Sequence, residues 1–233
     1  MLRGGKSFHQ SRRQLQPAED RGASARTGEE DQVLLLFETL GTAPNTAIQA
    51  YLNDNKVPQL FVSSGADKWN DPKNHPWTMG WLPSYRVESR IYAHYILENL
   101  PDAKIAVLYQ NDDFGKDYLN GLREGLGDKA DKLMVTRQSY ETTDPTVDSQ
   151  IVALEASGAN VLLTAAIPKF AAQAIREVYD IGWKSTHFLS SVANSVGSVG
   201  RRDSRKALAS SRQPTPKTPP TRNGRARQNT MNG

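Results

Sequence analysis

The chain has 233 residues, 37% of them hydrophobic, and no cysteine. That leaves room for one large domain or two small ones and excludes a disulfide framework, thiolate metal sites and a cysteine nucleophile. The net charge of +4 is unevenly spread: residues 1–28 carry +4, residues 200–233 carry +8, and the stretch between them carries −8.

In chain order, residues 1–28 come first. They lack apolar periodicity and the apolar core of a secretory signal, and their Arg/Ser/Gly-rich composition is that of a disordered arm. Residues 200–233 read the same way, with Pro and Thr added. Basic arms invite a nucleic-acid reading, but neither interleaves aromatic rings with its cations, as a base-stacking surface would. No nucleic-acid partner is expected.

From Glu29 strands alternate with helices. "VLLLF" (33–37) is a continuous apolar run, expected as a strand buried on both faces. A helix follows from about 43 to 54, with Thr42 as its N-cap. "PQLFVSS" (58–64) is the next strand, and residues 65–83 a long loop. Residues 84–100 form a helix with Val87, Ile91, Tyr95 and Ile96 on its apolar side. "KIAVLY" (104–109) is a strand; the helix after it files Phe114, Tyr118, Leu122 and Leu126 along one face.

"KLMVTRQSY" is a further strand, and Asp144, Pro145 and Gly158 bracket a helix over 144–158. Strand 160–166, helix 168–182 and strand 186–191 complete the series. Such alternation predicts an α/β fold with parallel, doubly wound sheets.

In such sheets ligands sit beyond the carboxyl ends of the strands. Three bends qualify: "ETLGTAPNT", "SSGADKW" and "QNDDFG". The first two offer hydroxyls and small residues that suit an anionic headgroup. The third is acidic and adds the ring of Phe114. Each also has a structural reading: Thr42 as a cap, Gly65 and Ala66 as a turn, Phe114 as core. Templates for catalysis are absent: no Gly-x-Ser-x-Gly elbow, no Walker loop, no His-Glu-x-x-His. The four histidines show no metal-ligand spacing, so neither metal nor cofactor is expected, and the chain does not read as an enzyme.

Taken together, "FETLGTAPNTAIQAYLNDNKVPQLFVSSGADKWNDPKNHPWTMGWLPSY", "KIAVLYQNDDFGKDYLNGLREGLGDKA" and "DPTVDSQIVALEASGANVLLTAAIPKFAAQAIREVYDIGW" resemble the substrate-binding proteins of branched-chain-amino-acid-type ABC transporters. These are type I periplasmic binding proteins of the leucine-binding kind. The resemblance spans about residues 29–199. It implies a two-lobed Venus flytrap that binds a small carboxylate between its lobes and delivers it to a membrane permease. The carboxylate would be a branched-chain or other amino acid, or an aromatic or aliphatic acid.

By that resemblance the carboxylate-gripping hydroxyl falls on Thr42, the backbone donors on Gly65 and Ala66, and the covering ring on Phe114. The wall of the second lobe falls on Ala166, Ile167 and Val192. Asp67 stands where a hydroxyl often follows the backbone donors, and the stretch around Val192 holds no acid to pair with an ammonium. A buried ammonium without a counter-charge is costly, so a carboxylate without an amine fits at least as well as an amino acid. Residues 29–81 are expected to be part of the first lobe and 82–199 the second, between the arms 1–28 and 200–233.

Against the family pattern both ends are replaced by basic text, expected to lie out of frame. An incomplete first lobe, with two strands and one helix, is expected to weaken or abolish ligand binding. The resemblance implies a periplasmic location, whereas the chain as written, without a signal segment, would stay in the cytoplasm. The alternative is a ligand-sensing regulatory domain of the same fold.

Overall fold

The structure is a computed structural model that describes residues 33–194. The two basic arms therefore lie outside the described residues.

The first part is a small parallel sheet. Strands β1 (Leu36–Phe37), β2 (Gln59–Val62) and β3 (Thr78–Gly80) pair in that order, and helix α1 (Thr42–Asp54) links β1 to β2. The apolar run at 33–37 yields only two strand residues, and Leu34 and Phe37 are 86% and 48% exposed. It is not buried on both faces. Among the described residues β1 stands at the edge of its sheet, paired with β2 alone, so it lacks the neighbours on both sides that help to bury a central strand. The loop expected over 65–83 also contains a 3₁₀ turn, Asp67–Asn70, and the strand β3.

Within β2, Phe61 adopts φ 56°, and the register against β3 shifts between Gln59 and Val62. The ring of Phe61 meets Phe37 at 5.3 Å and Trp81 at 5.5 Å, both edge-on.

The second part is larger. Strands β4 (Ile105–Gln110), β5 (Met134–Tyr140), β6 (Val161–Ala165) and β7 (Thr186–Leu189) form a parallel sheet in the order β5-β4-β6-β7. Helices α2 (Tyr85–Asn99) and α3 (Asp113–Leu126) cover one face, while α5 (Asp148–Glu155) and α6 (Pro168–Asp180) cover the other. A single turn, α4 (Ala130–Leu133), precedes β5.

Alternation along the strands fills both layers. Ile105, Val107, Val161 and Leu163 pack with Leu122, Leu126, Ala93 and Ile96. Ala106, Leu108 and Leu162 pack with Ile151, Leu154, Phe170 and Ala174. A strand that feeds two cores is apolar along most of its length, as β4 (apart from Gln110) and β6 (apart from Thr164) are. This is the doubly wound parallel architecture that the alternation of elements predicts.

Helices α2 and α5 depart from their sequence readings. On α2 the buried face is Tyr85, Ser89, Ala93 and Ile96, while Val87 and Ile91 are exposed. The reason lies on α3. A Cβ on Gly121 would sit 2.2 Å from the Arg86 carbonyl, and one on Gly125 2.5 Å from the Ala93 methyl. The backbones therefore approach along small residues, and the Ser89 hydroxyl closes the gap by donating to the Tyr118 carbonyl at 2.7 Å.

Helix α5 starts at Asp148 rather than Asp144. The Asp144 carboxylate instead accepts from the Glu141 amide at 2.9 Å, forming a turn of its own. Gly158, at φ 70°, does follow the end of that helix.

Partly buried on β7, His187 pairs its Nε2 with the Thr164 hydroxyl at 2.8 Å, and desolvation lowers its pKa to about 4. The folded state thus favours the neutral ring. Its contribution to stability is complete above the unfolded value near 6.5 and is lost as pH falls from there towards 4. Urea midpoints at pH 7 and pH 4 should show wild type losing about 2 kcal/mol more than His187→Gln. Equal losses would show that the ring takes up its proton without cost.

Candidate functional site

In an open parallel sheet the ligand crevice lies at the carboxyl ends, where the winding reverses. In the larger sheet β4 leads to β5 on one side, and the chain then returns to place β6 on the other. The reversal therefore lies between β4 and β6. Leaving it, the chain after β4 enters α3 with Phe114 in its first turn, and the loop after β6 carries Ala166 and Ile167. The loop leaving β2, with Ser64, Gly65 and Ala66, meets them in one apolar cluster. That cluster contains Val62, Ala66, Trp69, Tyr85, Phe114, Tyr118 and Ala165, with Ile167 and Val192 against it.

Thr42 is not the N-cap. Gly41 holds that position at φ 99°, a conformation open to glycine, and Thr42 is the first helical residue. Its hydroxyl is instead 2.7 Å from that of Ser64 across the sheet edge. The bend "ETLGTAPNT" is held by Asn45, whose Nδ2 donates to the carbonyls of Gly41 (2.6 Å) and Thr39 (2.9 Å). Gln59 completes the lock by donating to Asn45 Oδ1 at 2.8 Å. The Thr42 hydroxyl is thus free of capping duty.

Gly65 is required by close approach. A Cβ there would meet the Pro83 carbonyl at 2.2 Å and the Tyr85 ring at 2.8 Å. The amide of Ala66 points back to Ser64 Oγ at 3.3 Å. Asp67 is spoken for on the other side: its carboxylate accepts from the Ser84 hydroxyl and from Arg86 at 3.3 Å. A carboxylate at this position therefore serves the start of α2.

The third bend is less repulsive to an anion than its acids suggest. Asp113 pairs with Lys68 at 3.0 Å. Asp112 turns back to cap α3, accepting from the Gly115 amide at 3.3 Å and from Gln110 Nε2 at 2.7 Å. Burial raises its pKa, with those two bonds opposing. Asp117, also raised by burial, accepts from the Asp67 amide at 2.9 Å.

Phe114 is buried in the cluster, its ring 4.9 Å from Tyr85 and 5.5 Å from Tyr118. Ala165 faces the same cluster, whereas Ala166 packs on the opposite side with Tyr140 and Phe170. Ile167 lies between the two, its amide donating to the Tyr140 hydroxyl at 3.1 Å. The sequence-predicted residues Thr42, Gly65, Ala66, Phe114 and Ile167 are thus brought into one neighbourhood. Ala166 supports it from behind.

Three participants escaped the sequence reading. Ser64 is the hydroxyl partner of Thr42. Tyr85 lies between the first bend and Phe114. Glu88 accepts from the Ser191 amide (2.8 Å), the Ser191 hydroxyl (2.7 Å) and the Tyr92 hydroxyl. An acid does therefore stand beside Val192, supplied by α2 from 103 positions earlier. No local pattern around 192 could have signalled it.

Another hollow, of about 860 Å³, opens at the amino ends of the larger sheet among Asn99, Asp102, Asn160, Tyr179 and Trp183. It lies at the end opposite the reversal, and none of the bends reaches it. Among the described residues no group of three His, Cys, Asp or Glu is placed to hold a metal ion. Nor, among them, is any helix long and apolar enough to cross a membrane.

The sequence profile of one family, described as periplasmic binding protein, matches residues 14–231. The chain belongs to that family. Comparison with curated protein sequences gave no match. Among solved structures, similarity extends to a substrate-binding periplasmic protein from Ralstonia solanacearum, with 22% identity and a TM-score of 0.66 over 76% of this chain and 49% of that one. A branched-chain amino acid ABC transporter protein from Thermus thermophilus with bound valine gives 15%, 0.66, 80% and 48%. A fatty acid ABC transporter substrate-binding protein from Thermomonospora curvata gives 19%, 0.61, 81% and 48%. At such identities the likeness is one of fold. The chain spans about half the length of the solved structures it matches.

Proposed function

We propose that the chain is the solute-binding component of an ABC transporter, acting outside the cytoplasmic membrane without catalysis and handing its ligand to a membrane permease. Residues 29–81 belong to the first lobe and 82–199 to the second. The ligand is a small carboxylate. One observation carries the reading: the hydroxyl pair Thr42–Ser64, the small bend Gly65–Ala66 and the ring of Phe114 converge where both parallel sheets end.

Each part has a physical task. Two neutral hydroxyls and the backbone amides of a tight bend are donors for a carboxylate, and they require no buried cation. Phe114 and Ile167 present apolar surface to the hydrocarbon part of the ligand. Two solved neighbours are a branched-chain amino acid transporter protein with bound valine and a fatty acid transporter's substrate-binding protein, and both ligand classes are carboxylates with apolar bodies. Glu88, beside Ser191, supplies the negative charge that an amino acid would need, so both classes stay within reach of this site.

Calorimetric titration of the full chain with L-leucine and with benzoate tests the proposal. Binding of either, weakened tenfold or more in Thr42→Ala, is expected, because a hydrogen bond to a charged group is worth about 1.5–3 kcal/mol. Binding indifferent to Thr42→Ala would move the site elsewhere, and no binding of any carboxylate would overturn the reading.

A further inference from the structure

The place where a ligand carboxylate would rest is already filled by a side chain of the protein. Tyr85, the first residue of α2, is 4% exposed. Its amide donates to the Gly65 carbonyl at 2.8 Å, and its ring lies so close to Gly65 that a Cβ there would come within 2.8 Å of two ring carbons. Phe114 meets that ring edge-on at 4.9 Å and Tyr118 stacks on it at 5.3 Å. Thr42 and Ser64 are themselves 6% and 1% exposed. Their hydroxyls and the Gly65 amide are the neighbours of the phenol oxygen.

On this basis, and resting on the carboxylate-binding reading above, we infer that Tyr85 is an internal competitor for the anion site. Its phenol oxygen takes the position of one carboxylate oxygen, and ligand binds only when the tyrosine is displaced.

The chemistry of the two occupants agrees. A phenol oxygen accepts hydrogen bonds from hydroxyl and amide donors as a carboxylate oxygen does, and both are followed by an apolar body that Phe114 can cover. Burial raises the phenol pKa, so Tyr85 stays neutral and brings no charge into the pocket. A ligand carboxylate, being charged, makes the stronger bonds to the same donors.

The competition sets affinity by population. If the open arrangement is a fraction f of the molecules, the observed Kd is the intrinsic Kd divided by f. Tyr85 is held at both ends, by its own amide on Gly65 and by the packed rings of α3. The closed arrangement is therefore the favoured one, and weak binding by this chain follows without any defect in the donors themselves.

The test compares wild type with Tyr85→Phe and Tyr85→Ala in the full chain, titrated with L-leucine and with benzoate, with circular dichroism to show that each variant is folded. Tyr85→Phe keeps the ring packing and removes only the competing oxygen. It is expected to bind about three- to tenfold more tightly than wild type, with Thr42→Ala abolishing the gain. Tyr85→Ala empties the position altogether; should Tyr85→Phe fail to fold, the same gain in folded Tyr85→Ala decides for the inference. Unchanged or weaker binding in every folded variant, still sensitive to Thr42→Ala, would overturn the inference and leave the site standing. No binding in any of them, with Thr42 irrelevant, would overturn both.

Discussion

Gly121→Ala should lower the unfolding free energy by about 3 kcal/mol, read from urea denaturation with the slope unchanged. The new methyl would lie 2.2 Å from the Arg86 carbonyl, 2.8 Å from the Arg86 Cα and 2.9 Å from its carbonyl carbon. Every one of these atoms is backbone, so no rotamer change can relieve the contact. Helices α2 and α3 would have to separate, and the Ser89–Tyr118 hydrogen bond of 2.7 Å would be lost with the separation. A loss below about 1 kcal/mol would mean that the two helices are not held this close. Because Tyr85 opens α2 and Phe114 stands in the first turn of α3, the same substitution should also disturb the ligand site.

Phe170→Ala addresses the opposite layer and is expected to cost about 3–5 kcal/mol. Phe170 is fully buried, its ring 4.4 Å from that of Tyr140, among Leu108, Ile151, Leu154 and Leu162. Removing it leaves a void bordered by strand side chains that cannot collapse without breaking the sheet register. The damage should reach the site through a defined route. The Tyr140 hydroxyl donates to Gln110 Oε1 at 2.9 Å and accepts from the Ile167 amide at 3.1 Å. Freed of its ring partner, Tyr140 loses hold of both loops at the sheet reversal. Denaturation gives the stability loss, and titration of the still-folded fraction should show weaker carboxylate binding. A void filled without cost would leave both unchanged.

Much of the larger part was legible because its signals are local. In β4 and β6 an apolar run, interrupted by Thr164 in β6 and closed by Gln110 in β4, reports burial on two faces, and in α3 the file Phe114, Tyr118, Leu122 and Leu126 reports a single buried face. The run at 33–37 carries the same signal as β4, yet at the edge of the described sheet it is left partly exposed; position in a sheet is not written in the strand. On α2 the apolar residues Val87 and Ile91 misled because the contact is made by small residues, and glycine on the partner helix decides it. The bends that gather at the site were readable as bends. Their partnerships were not, since Thr42 with Ser64, Tyr85 with Gly65 and Glu88 with Ser191 are contacts between segments far apart in sequence.

That last pairing has a kinetic consequence. Glu88 and Ser191 close a span of 103 positions, and the entropy of closing a chain grows with its length, so contacts of this kind form after the shorter ones beside them. The bonds from Ser191 to Glu88 can form only once the turn after β7 has docked against the first turn of α2. Tyr85 stands on that turn. The edge of the pocket beside Val192 would then be completed after the shorter-range contacts around Tyr85 and Gly65.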